Sequence, residues 1–156
     1  NRAPRQHMRK MKVGKITFNE AYKAVSEYRR KFPQKAVTFY AQNYPSMGWA
    51  VFMASGSCPV IPCKDKAFLK DAAVMEVEET NTDQYKKLVK SDTGNIIYSK
   101  SGTEIPIHLS SGKYVLKYIH PNSGEVNTIN KSLKINGLYN LKVPDKKEGI
   151  YWFHKL

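Results

Sequence analysis

The chain has 156 residues and a mass of 17.8 kDa, the size of one domain or two small ones, which argues against a complete multi-domain enzyme. A content of 41% hydrophobic, 12% aromatic and 25% charged residues excludes disordered, collagenous and fibrous chains. The 26 Lys and Arg against 13 Asp and Glu leave a net charge of +13, which fits a polyanion partner without choosing one.

That charge is unevenly spread. Residues 1–35 carry eleven basic and two acidic side chains, residues 36–83 three and six, and residues 84–156 twelve and five. The first block holds Arg2, Arg5, Arg9, Lys10, Lys12 and Lys15 with Met8 and Met11 between them, a run that could follow a phosphate backbone or an acidic glycan. No nucleic-acid motif accompanies it, neither an aromatic RNA-binding run, nor a zinc finger, nor a phosphate-binding Gly-rich loop. The chain begins with Asn and lacks the apolar core of a signal peptide, so the expectation is that natural segments preceding Asn1 have been removed or left out.

Phe18, Ala21, Tyr22, Val25, Tyr28 and Phe32 recur at helical spacing and predict an amphipathic helix over 16–32. Thr17 and Glu20 form a potential capping box, and Arg29, Arg30, Lys31 and Pro33 mark the end. Lys35 to Ala41 is β-branched and aromatic without alternation, the pattern of a strand buried on both faces. Gln42 to Pro45 predicts a turn, followed by a helix from Ser46 through Trp49, Val51, Phe52 and Ala54 that stops at Ser55-Gly56. That helix has almost no polar face, so its cover is expected from neighbours the chain does not encode. At seven residues, Gly48 to Ala54 is far too short to span a membrane. Asp65 to Met75 reads as a third helix.

From Glu76 the pattern changes. Short alternating runs, clearest in Tyr114, Leu116 and Tyr118 against Val115, Lys117 and Ile119, are separated by turn residues such as Ser111-Gly112, Pro121 to Gly124 and Asn136-Gly137. They predict an antiparallel β-sandwich. The expected class is thus α+β: a helical N-terminal half with one buried strand, then the sandwich, divided into residues 1–80 and 81–156.

Signals for chemistry are sparse. Cys58 and Cys63 are spaced neither as a redox motif nor as half a zinc site, so no metal is expected; they are a disulfide pair in an exported protein or two buried thiols otherwise. His108, His120 and His154 fall in different strand-like runs, and Gly56-Ser57-Cys58 lacks a nucleophile elbow. Glu76, Glu78 and Glu79 are the only dense acidic group, more economically a solvated linker than a glycosidase pair. No catalytic residue and no cofactor are assigned. In Tyr151-Trp152-Phe153, alternation buries either Trp152 or both its neighbours, so a core role competes with sugar stacking.

Gly94 to Tyr98, Glu104-Ile-Pro-Ile-His-Leu109, Gly112 to Glu125 and the closing Gly149-Ile-Tyr-Trp-Phe153 resemble, in that order, the C-terminal β-sandwich of secreted bacterial glycoside-hydrolase-like proteins, a domain often labelled collagen-binding. His120 departs from the acid or amide usual there. The resemblance implies the sandwich fold, an exported carbohydrate-active setting at the periplasm, cell surface or outside, and a polysaccharide or oligosaccharide partner; collagen binding is not carried over. Trp49 to Gly56 and Phe68 to Ala73 look like the end of a (β/α)8 catalytic barrel, which would make the missing N-terminal part of the polypeptide a second partner. On that view Tyr40, Gln42, Asn43 and Tyr44 lie at the active-site face and could touch a sugar, unless they form an ordinary capped turn. The alternative function is a basic module that binds nucleic acid or acidic glycans through the N-terminal patch.

Overall fold

A computed structural model describes residues 16–39 and 45–156. The helices are α1 (Phe18–Lys31), α2 (Pro45–Met53) and α3 (Lys66–Ala72), followed by strands β1 (Glu76–Glu78), β2 (Tyr85–Lys90), β3 (Gly94–Ser99), β4 (Glu104–Ile119), β5 (Val126–Lys142) and β6 (Gly149–Lys155). The six strands form a single sheet in the order β1-β2-β3-β6-β4-β5, antiparallel at every pairing. The last strand is therefore inserted between β3 and β4. None of the helices exceeds 14 residues, and no helix among the described residues is long and apolar enough to cross a membrane.

The architecture corrects the expected class on several points. Among the described residues there is no helical half and no two-sheet sandwich, but one sheet carrying three short helices. Residues 36–39 form no strand. They are extended beside Ser57, exchanging a Ser57 N–H bond to the Val37 carbonyl at 2.6 Å and a Val37 N–H bond to Ser57 Oγ at 3.2 Å, and no neighbouring strand continues the pairing. The barrel remnant is also overturned, because α2 is covered by its own chain: Trp49 is 1% exposed, Ala50 0% and Met53 0%. An aromatic relay runs from Trp49 to Phe68 at 6.2 Å between ring centroids and from Phe68 to Trp152 at 5.5 Å. The apolar helix is covered by α1 and β2, by Phe68 of α3 and by the turn after β4, where Trp49 Nε1 donates to the Pro121 carbonyl at 2.7 Å; it reaches β6 through Phe68.

Local chemistry explains the helix limits. The Thr17 side chain accepts from the Glu20 N–H while Glu20 accepts from the Thr17 N–H at 2.7 Å, a capping box that begins α1 and contributes about 1 kcal/mol. Asp65 accepts from the N–H groups of Ala67 and Phe68 at 2.9 and 3.0 Å and starts α3.

The sheet buries both faces. On one, Leu88, Ile96, Tyr98, Ile119, Ile150 and Trp152 meet the three helices in a single apolar cluster that includes residues on both sides of position 80. On the other, Ile97, Tyr114, Leu116, Tyr151 and Phe153 are covered by Ile105, Ile107, Leu109, Ile135 and Leu141. The cover is the sheet itself. Burial in β4 falls on odd residues from Ile105 to Leu109 and on even residues from Tyr114 to Leu116, a change of parity that a regular strand cannot make. A register shift between Leu109 and Gly112 supplies the extra residue. Gly137, paired with Leu109 and at φ +90°, bends β5 at the same level. The far half of the β4–β5 hairpin thus folds back over β2 and β3, where Lys87 Nζ donates to the Pro106 carbonyl at 2.9 Å.

Candidate functional site

The turn between β5 and β6, residues 144–148, is held from three strands by tyrosine hydroxyls. Tyr151 on β6 donates to the Lys147 carbonyl at 3.0 Å, Tyr118 on β4 to the Glu148 carbonyl at 3.0 Å, and Tyr98 on β3 to the Glu148 carboxylate. The Lys147 N–H closes the turn on the Pro144 carbonyl at 3.2 Å. Lys146 takes a positive φ of 62° to make that turn. Gly149 follows because a Cβ there would lie 2.5 Å from the Tyr118 ring. Burial raises the pKa of all three phenols, that of Tyr151 to about 12, with the Glu148 carboxylate adding to the effect at Tyr98 and Tyr118, so they remain neutral donors across the physiological range.

These contacts shape a concave surface of about 620 Å³ on the open side of the hairpin. Tyr118, Tyr139 and Tyr151 line it, with Asn127, Asn140 and the partly exposed edge of Ile129. Tyr139 is fixed edge-on against Phe153, with 5.6 Å between centroids, and Tyr118 leans on Tyr151 at 5.4 Å. Lys142 and Lys147 complete the lining, and no Asp or Glu belongs to it. Tyr118 is also the shared wall of a smaller recess of about 280 Å³ formed with Trp49, Tyr98, His120, Asn122 and Glu148. A third recess, of about 630 Å³, lies among the helices; of its charged side chains Arg30 pairs with Glu79 at 3.3 Å and Arg29 donates to the Pro33 and Lys35 carbonyls. The tyrosine cleft is larger than the other aromatic recess and combines flat rings with exposed amides, the composition of a small-molecule or glycan pocket.

The sugar-contact candidates Tyr40, Gln42, Asn43 and Tyr44 lie outside the described residues, as do Arg2, Arg5, Arg9, Lys10, Lys12 and Lys15 of the basic patch. Cys58 is exposed and Cys63 buried, both as free thiols, with burial raising the pKa of Cys63. Glu78 is taken up by Lys87 at 2.7 Å. Tyr151, Trp152 and Phe153 are 2%, 0% and 0% exposed; both alternatives for this run hold at once because the sheet is covered on both sides. No His, Cys, Asp and Glu cluster of metal-binding size occurs among the described residues.

One polar cluster escaped the sequence reading. Asp71 of α3, 8% exposed, accepts from Trp152 Nε1 at 2.9 Å and contacts His154 Nδ1 at 2.7 Å. More than eighty positions separate the partners, so no motif signals them. The pair fastens α3 to β6. No sequence spacing marks the tyrosine cleft either, since Tyr118 and Tyr151 become neighbours only through the insertion of β6.

Residues 1–75 match a family model described as a domain of unknown function, DUF6298. The match ends at Met75, one residue before β1, so the cleft lies beyond it. Among curated proteins none matches this chain. Among solved structures it is similar to a glycoside hydrolase, with 11% identity and a TM-score of 0.36 over 52% of this chain. The aligned part spans 19% of that protein's length.

Proposed function

We propose that this protein is a carbohydrate-binding accessory module of an exported carbohydrate-active protein, holding a segment of polysaccharide in the tyrosine cleft. The observation behind this reading is that rings and exposed amides share one concavity of about 620 Å³, within the roughly 300 to 1,000 Å³ usual for small-ligand sites. The C–H face of a pyranose packs on an aromatic ring, as other apolar groups do. Its hydroxyls need both donors and acceptors, which the amides of Asn127 and Asn140 supply from one side chain each. The rings are anchored before any ligand arrives, Tyr118 and Tyr151 through their hydroxyls and Tyr139 through Phe153, so little ordering cost is left for binding.

Calorimetric titration with oligosaccharides of several backbones, neutral and acidic, tests the reading. At least one is expected to bind, and Tyr139→Ala to weaken it by about tenfold with the circular dichroism unchanged. The reading fails if the folded chain binds none of them, or if binding is indifferent to Tyr139→Ala.

A further inference from the structure

Resting on that reading, we infer that the cleft takes an anionic glycan, one bearing carboxylate or sulfate groups, and that Lys142 and Lys147 are its charge contacts. These lysines come from separate segments, the end of β5 and the 144–148 turn, and converge on one concave surface that no carboxylate lines. Neither has an acidic partner within 4.0 Å among the described residues, and residues 1–15 and 40–44 contain no Asp or Glu to supply one.

The contrast with the other lysines that enter the fold is informative. Lys86 meets Asp83 at 3.7 Å and Lys87 meets Glu78 at 2.7 Å, so cations buried for structural reasons bring their own counter-charge. One acid reaches the rim of the cleft, Glu125, whose carboxylate accepts from Asn127 Nδ2 at 3.3 Å, and none of the other nearby acids lines it. Glu148 is held by Tyr98 and lines the smaller recess, Asp145 lies over the Gly102 turn, and Glu104 is opposite Lys142 in the β4–β5 ladder without forming an ion pair. Lys147 also starts from a fixed backbone, its N–H bonded to Pro144 and its carbonyl to Tyr151. Two cations facing tyrosine rings and amides suit a sugar ring carrying an acid. A nucleic-acid strand is favoured less, because it would require a longer basic track following successive phosphates.

The test is titration of the full chain with oligogalacturonate, a heparin-derived sulfated oligosaccharide, neutral xylo- and cello-oligosaccharides, and a single-stranded oligonucleotide, each at low and raised salt. An acidic glycan is expected to bind best and to weaken as salt rises. Lys142→Gln and Lys147→Gln should each reduce its affinity about three- to fivefold and the double variant about tenfold or more, without lowering the melting temperature. The stronger of the uronate and sulfate arms identifies the acid. Neutral glycans binding as well as acidic ones, with the lysine variants unchanged, would overturn the anionic assignment and leave the carbohydrate reading standing. Binding of the oligonucleotide alone, or of nothing, would overturn both.

Discussion

The two faces of the sheet are built by different means. The helical face is closed by residues brought from elsewhere in the chain: α3 lays Phe68 on Trp152 and α2 lays Trp49 on Phe68, and both indole N–H groups find acceptors inside the protein, Trp152 Nε1 on Asp71 and Trp49 Nε1 on the Pro121 carbonyl at 2.7 Å. The opposite face is closed by the sheet's own hairpin. A hairpin that folds over itself covers the middle of the face and leaves a trough between its two halves, lined by residues 127–129 of one and 139–142 of the other, and in this trough amides and lysines stay exposed. Both faces hold a buried core, but on the proposed function only the second also carries recognition, and substitutions in the helical core and in the cleft lining should separate accordingly.

The largest effect is expected at Trp152→Ala, which removes the sheet-side end of the aromatic relay and should cost about 3 to 5 kcal/mol in urea unfolding. Asp71→Ala comes next. It leaves the Trp152 N–H without its buried acceptor, a loss of about 1 to 3 kcal/mol, and sugar affinity measured on the folded fraction should not change. Tyr151→Phe deletes the hydroxyl that holds Lys147 and should cost about 1 kcal/mol, but unlike Asp71→Ala it should also weaken ligand binding. A fall in stability from Asp71→Ala as small as that from a surface substitution would contradict the role given to the Asp71–Trp152 bond.

Alkaline pH gives a smaller handle on the same tyrosines. Their folded pKa values lie above the ordinary 10.0, at about 12 for Tyr151, so the unfolded chain loses these protons first and the folded state binds more of them between the two values. Stability from this source is complete below pH 10 and declines as pH rises through about 12 for Tyr151. Unfolding curves across pH 9 to 12 should show a shallower decline for Tyr151→Phe than for the wild type. Last, Thr17→Ala removes the α1 cap, on the helical face of the sheet, and should lower stability by about 1 kcal/mol with no effect on binding.

What the sequence revealed was local. The α1 cap was legible because Thr17 and Glu20 act across three residues, and the faces of β4 were legible in the alternation from Tyr114 to Ile119. Ser111-Gly112 and Asn136-Gly137 misled because the residues that reverse a chain also bend one. They lie at one level of the β4–β5 ladder, with Gly112 opposite Ile135 and Gly137 opposite Leu109, and only the neighbouring strand decides that the chain continues. The apolar Trp49 helix was recognised as needing cover, but the cover comes from α1, Phe68 and the distant Pro121 turn, partners that no local pattern announces. The cleft was hidden for the same reason, its tyrosines being three ordinary strand residues until β6 enters between β3 and β4.

The division of labour is tested most directly by nuclear magnetic resonance titration of the labelled protein with the best-binding oligosaccharide. The account predicts shifts concentrated at the amides of Tyr118, Asn127, Tyr139, Asn140 and Lys147, with those of Val25, Phe68 and Leu88 unmoved. Shifts centred on the helices, with the tyrosine cleft silent, would contradict it.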